Sequence, residues 1–200
     1  MKTIRLFAWL AVALVAAAAA VLWHERWQGE APDQLAAVSG DFELVNQDGE
    51  AVPASWFRQG PLAVFFGFTS CPDVCPTTLA TLARWLEGLD EAEAAALKVV
   101  FVSIDPRRDT PEAIGAYIAH FDPRIIGLTG DPDALRALAA ELGAEFRVSG
   151  EGESYEVAHS AAIYLIDRDG RFGGSMREGT LPEIARDRLR ALVGGAEREP

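Results

Sequence analysis

The chain has 200 residues and a formal net charge of -12, with 18 Lys and Arg against 30 Asp and Glu. No basic run is longer than Arg107-Arg108, so the composition argues against a nucleic-acid partner. With 50% hydrophobic residues it can build one apolar core of ordinary size, and its two cysteines are not needed as staples.

Lys2 and Arg5 precede Leu6 to Trp23, a stretch with no charged side chain. At about 1.5 Å per residue it reaches roughly 27 Å, close to the thickness of a hydrocarbon core. The apolar part of a cleaved signal peptide is usually shorter, about 7–15 residues. Residues 1–23 therefore read as one uncleaved transmembrane anchor, with Ala16–Ala20 as the cleavage site if they are instead a signal sequence. Trp9 and Trp23 suit the interfaces, and the bias of Lys2 and Arg5 over Arg26 keeps the N-terminus cytoplasmic. The expected location is a bacterial-type inner membrane, single pass, with the soluble domain on the periplasmic, exported side. Beyond residue 23 sixteen basic side chains face thirty acidic ones, net -14. In that compartment, nearby thiols oxidise unless something reduces or metallates them.

Residues 24–40 are polar, with a proline and two glycines, and read as a tether. The domain is expected over 41–193, with a frayed tail over 194–200. Phe42 to Val52 reads as a hairpin turning at Asp48-Gly49. Residues 62–68 form an apolar strand, followed by a cysteine turn and a helix over 76–89. Lys98 to Ile104 is a second buried strand. Thr110 with Pro111 opens a helix to about His120, and Asp131 with Pro132 another to about Leu142. Ile125–Leu128 is a short strand. A strand over 160–167 turns at Asp169-Gly170 into 171–175, and a capping box at Thr180 to Glu183 starts a last helix to Val193. The pattern is α/β, parallel early and antiparallel late. A dithiol between a strand and a helix points to a thioredoxin-like fold with an N-terminal hairpin.

Cys71 and Cys75 are the only cysteines, in Cys71-Pro72-Asp73-Val74-Cys75-Pro76. Two thiols so placed can exchange a disulfide or hold a soft metal. A helix begun at Pro72 would put Pro76 beyond its first turn. A helix begun at Pro76 makes Cys75 the flanking residue, at the positive helix end that favours a thiolate. Zinc and iron–sulfur sites usually take four protein ligands, so two cysteines and a few histidines suit copper better. Thioredoxin-type dithiols have two intervening residues, not the three found here. A structural disulfide is the plainer alternative.

Of the three histidines, His24 flanks the apolar segment, and His120 sits where it can cap a helix C-terminus. His159 precedes the late strand and is a candidate third ligand, with structural hydrogen bonding as the alternative. Asp73 is a turn former or an electrostatic influence on the site. Asp105, Arg108 and Asp109 form a charged cluster that reads as loop-bracing, partner-docking or simply solvated.

Gly67 to Pro76, then Ser103-Ile104-Asp105-Pro106-Arg107-Arg108-Asp109-Thr110-Pro111, then His159-Ser160 with Tyr164-Leu165-Ile166 and Asp169-Gly170, resemble the Sco/SenC family over roughly residues 41–193. The resemblance implies a membrane-anchored, thioredoxin-like copper protein of cytochrome c oxidase assembly. It implies that Cys71, Cys75 and His159 bind one copper ion, as Cu(I), Cu(II) or both. The implied partners are oxidase subunit II, whose dinuclear copper site receives the metal or has its cysteines reduced, and a copper donor or thiol reductant. Ala158 stands where the family often has Asp, and Ser70 where His is frequent.

Three other functions compete. One is an exported thiol-disulfide oxidoreductase using Cys71 and Cys75, and another is a redox sensor built on the same pair. The third resembles the peroxiredoxins, whose motif has Thr or Ser three residues before the attacking Cys and Pro four further back. Phe68 and Val64 occupy those positions, which counts against it.

Overall fold

The computed structural model describes residues 38–150 and 155–194. The expected anchor over 1–23, most of the tether and the tail beyond Gly194 lie outside them. Among the described residues no helix is long and apolar enough to cross a membrane.

The N-terminal hairpin forms as expected from β1 (Glu43–Asn46) and β2 (Ala51–Pro53). Gly49 takes a φ of 82° in its turn, a conformation that costs glycine little. The Asn46 side chain accepts from the amides of Asp48 and Glu50 and closes the loop. After a 3-10 turn at Ala54–Arg58 comes β3 (Leu62–Gly67), buried at every position. Then follow α1 (Val74–Glu87), α2 (Glu91–Ala96) and β4 (Lys98–Ser103). The chain continues through α3 (Pro111–Ile118), β5 (Ile125–Thr129), α4 (Pro132–Glu141), β6 (Phe146–Ser149) and β7 (Glu156–His159). It closes with β8 (Ala162–Ile166), β9 (Phe172–Arg177) and α5 (Pro182–Gly194).

The main sheet has the order β2-β1-β5-β4-β3-β8-β9. β3, β4 and β5 are parallel, while β8 and β9 are antiparallel, as is β1 on β5. A β3-α1-β4 crossover followed by β8-β9-α5 is the thioredoxin-like arrangement expected from the sequence. Strand alternation divides the core. Ala63, Phe65, Val99 and Phe101 point to the face covered by α1, α3 and α5, with Leu79, Ile114 and Leu189. Leu62, Val64, Phe66, Val100 and Val102 point to the opposite face, with Leu135 and Leu138 of α4. Burying each of these phenylalanines contributes about 1.5–3 kcal/mol.

Two helix starts follow the expected chemistry. The Thr110 hydroxyl accepts from the Ala113 amide, and the Asp131 side chain accepts from the Asp133 amide. α1 departs from expectation by beginning at Val74, so Cys75 lies inside its first turn rather than before it. The first helical N–H groups have no intrahelical partner in any case. Pro76, third in the helix, therefore forfeits no bond, and the carbonyl its ring would crowd belongs to Pro72, outside the helix.

β6 and β7 are an unexpected second element. They pair antiparallel, Phe146 with His159 and Ser149 with Glu156, as a two-stranded sheet of their own. His159 thus precedes the late strand, as expected, and is itself the last residue of another.

Candidate metal centre

Cys71, Cys75 and His159 come together although the histidine is far away in sequence. One ligand atom from each lies within 4.8 Å of the others, and Cys75 Sγ is 3.5 Å from His159 Nε2. Both thiols are free. Cys71 lies in the loop and is half-buried, whereas Cys75 is fully buried in the core beside Phe65 and Leu79.

Gly67, at the end of β3, makes room for this packing. A Cβ there would fall 2.8 Å from both Cys75 Sγ and a Phe101 ring carbon. The glycine is required by close approach.

The imidazole is held in a defined state. His159 Nδ1 lies 2.9 Å from the Ser160 carbonyl oxygen. A carbonyl only accepts, so Nδ1 carries the proton and Nε2 presents its lone pair toward the sulfurs. Burial lowers the His159 pKa from its ordinary value, with the Ser160 bond a smaller opposing influence. The ring packs edge-on against Phe65 and Phe68, with centroids 5.8 and 5.9 Å away. Thus the Ser160 carbonyl, rather than a carboxylate at position 158, orients the ligand.

The two thiols differ, and the difference reverses the expectation for Cys75. Burial pushes the Cys75 thiol strongly upward, and the neighbouring Cys71 and Asp109 add to the effect. Burial also opposes ionisation of Cys71, but backbone bonds from Asp73, Cys75 and Val74 and the Cys75 side chain outweigh it and lower that pKa. The helix N-terminus therefore favours the thiolate at Cys71, because Cys71 precedes the helix and faces its free N–H groups while Cys75 is sealed beneath. We expect iodoacetamide to modify Cys71 well before Cys75 in the reduced, metal-free chain, as read by peptide mass spectrometry. Equal rates would contradict the asymmetry.

The charged cluster after β4 is mostly buried, and it braces loops. Asp109 accepts from the Thr69 amide at 2.9 Å, the Thr69 hydroxyl at 2.6 Å and the Ser103 hydroxyl at 2.5 Å. It thereby ties the start of the cysteine turn to the end of β4. Asp105 pairs with Arg108 and accepts the Tyr155 hydroxyl. Tyr155, just before β7, carries no local signal in the sequence for this role. Asp73 is exposed at the N-cap of α1 without a side-chain capping bond, although its carbonyl accepts from the Thr77 amide and hydroxyl. His120 Nδ1 lies 3.3 Å from the Tyr117 carbonyl just past α3, in keeping with a helix-end role away from the site.

Two sulfurs and an imidazole nitrogen form a soft donor set. Metal–sulfur and metal–imidazole bonds of about 2.0–2.3 Å, as in zinc sites, let one ion span donors roughly 4 Å apart, and the separations here fit that scale. An open groove of about 690 Å³, lined by Arg136, Phe146, Arg147, Ala158 and Ser160, reaches His159 from solvent.

Comparison with known proteins agrees with this geometry. The SCO1/SenC family model matches residues 30–194. An SCO2-like protein of Rickettsia felis is 38% identical over 138 residues, covering 68% of this chain and 67% of that protein. The mouse mitochondrial SCO2 homologue is 35% identical over 173 residues, covering 83% of this chain and 65% of that protein. The copper-bound structure of Bradyrhizobium japonicum ScoI superposes with a TM-score of 0.70 at 36% identity, covering 78% of this chain and 99% of that one. Copper-bound yeast Sco1 superposes with a TM-score of 0.71 at 28% identity, covering 82% and 92%. The chain belongs to the SCO1/SenC family.

Proposed function

We propose that this protein is a copper-binding assembly factor that holds one copper ion on Cys71, Cys75 and His159. It delivers the ion to the dinuclear copper site of cytochrome c oxidase subunit II, or reduces that site's cysteines. The observation that carries the reading is the convergence of two sulfurs and an imidazole lone pair within 4.8 Å. Copper-bound ScoI and Sco1 structures of the same family support it. Two thiolates and one imidazole form a low-coordinate soft site suited to Cu(I). The half-buried Cys71 leaves the ion reachable by a partner. In this reading residues 1–23 anchor the domain on the exported face of a bacterial-type inner membrane, and a copper donor or thiol reductant supplies it. The test is transfer. Two equivalents of copper-loaded full chain, mixed with metal-free reduced subunit II and then oxidised by air, are expected to generate the absorption bands of the dinuclear site. Copper that stays on the chain, with no effect on the subunit's thiols, contradicts the proposal.

The thiol asymmetry favours a second reading, disulfide reduction. The Cys71 thiolate attacks one sulfur of a target disulfide, forming a mixed disulfide and expelling the other sulfur as a thiolate. Cys75 then passes its proton to His159 Nε2, 3.5 Å away, and attacks the Cys71 sulfur. This releases the second target sulfur, which takes up that proton as a thiol. The target gains two electrons, and the Cys71–Cys75 pair is left oxidised for an external thiol reductant to reset. This activity is expected without copper, as measured by insulin reduction.

A further inference from the structure

Strand β7 delivers His159, yet among the described residues it pairs only with β6 and shares no ladder with the seven-stranded sheet. Its far end runs into β8 across two linking residues after His159, and Val157 packs against the core; its near end is held through Tyr155. Tyr155, the residue before β7, is 6% exposed, and its hydroxyl donates to Asp105, which is 2% exposed. The guanidinium groups of Arg107 and Arg108 lie 4.5 and 4.0 Å from the Tyr155 ring centroid, within cation–π range. Arg108 also pairs with Asp105. The Asp105 amide donates to Ser103 Oγ, whose hydroxyl donates to Asp109, and Asp109 holds Thr69 beside the cysteine turn. A single loop, residues 103–109, thus grips the cysteine turn at one end and the histidine hairpin at the other.

We infer that Tyr155 is a positioning residue for His159, its hydroxyl on Asp105 setting where β7 presents Nε2 to the two sulfurs. Burial, reinforced by Asp105, raises the Tyr155 pKa and keeps the phenol a donor. The inference rests on the copper-site reading above, and it separates two branches of one brace. The Asp109 branch governs the dithiol, and the Tyr155 branch governs the third ligand.

The test is Tyr155→Phe in the full chain, which removes the bond and retains the ring under both arginines. Copper affinity is expected to fall about tenfold, the low end of the 10–100-fold loss of a direct outer partner, because Tyr155 acts on His159 only through the strand. The Cu(II) absorption spectrum is expected to shift toward that of His159→Ala. In the metal-free chain the His159 imidazole NMR resonances are expected to move, while the alkylation rate of Cys71 stays at the wild-type value. Asp105→Asn, which keeps an acceptor oxygen for the hydroxyl, is expected to retain most of the affinity and to serve as the second variant if Tyr155→Phe does not fold. Wild-type affinity, spectrum and imidazole resonances in Tyr155→Phe would overturn the inference. So would a change in Cys71 alkylation as large as the change in copper affinity, because that signals general loosening. If the wild-type chain binds no copper, the copper reading falls, and the metal-free imidazole resonances still decide the positioning role.

Discussion

Asp109→Ala is expected to lower the free energy of unfolding by about 3 kcal/mol, because each buried polar group left unpaired costs about 1–3 kcal/mol. The substitution strands the Thr69 amide, the Thr69 hydroxyl and the Ser103 hydroxyl at once, at a position only 1% exposed. For a domain of this size the melting temperature falls by about 2–4 °C per kcal/mol, so the drop is large enough for a simple thermal scan. The same change frees the start of the cysteine turn, so Cys71 alkylation in the metal-free chain is expected to change with it. A denaturant titration showing less than about 0.5 kcal/mol of destabilisation, the range of an ordinary surface substitution, would return the charged cluster to the solvated reading.

His159→Ala is the second large effect. Copper affinity is expected to fall by more than about 100-fold, beyond the 10–100-fold typical of losing a mere outer partner. The fold is expected to survive, since the imidazole is only half-buried and its bonded partner, the Ser160 carbonyl, is backbone. Removing the ring also leaves Phe65 and Phe68 without their edge contact, which contributes roughly 0.5–1.5 kcal/mol per aromatic pair. A modest loss of stability with a steep loss of copper is therefore the signature of a ligand. The reverse pattern is the signature of the structural histidine that the sequence left open. Competition against a chelator of known affinity, beside a thermal melt, separates the two.

Much of the scaffold was legible because local chemistry and tertiary packing agree. The apolar run 62–67, the Thr110-Pro111 and Asp131-Pro132 starts, and the Asp48-Gly49 turn each carry a complete local signal. Cys71 and Cys75 announced themselves by their position between strand and helix. Pro76 suits a first helical position, but the whole first turn tolerates proline, which is why α1 can start earlier, at Val74. α2 did carry a signal. The Asp90 side chain caps the Glu93 amide and Glu93 returns the bond, a capping box that can be read from the two residues alone.

The β6–β7 hairpin was less accessible. Its residues are mostly exposed or half-exposed, so the alternation that marks a core-facing strand is weak. Loop-bracing was one role open to Asp105 and Asp109, but their burial and their partners were hidden for a different reason. Clustered charges in a loop usually face water, and what buries these two are partners 50 and 40 positions away, Tyr155 and Thr69. The thiol asymmetry likewise depends on burial. The helix-end argument was sound, but it acts on the cysteine outside the helix, while desolvation governs the one inside.

The central claim is that Cys71, Cys75 and His159 act together as a copper site. It is tested most directly by titrating the reduced full chain with Cu(I) in the presence of a competing chelator. The account predicts one ion bound per chain, lost when the dithiol is oxidised or when Cys71→Ser is introduced, because neither a disulfide nor a hydroxyl replaces a thiolate ligand. Absence of stoichiometric copper in the reduced chain, together with brisk insulin reduction, would contradict it.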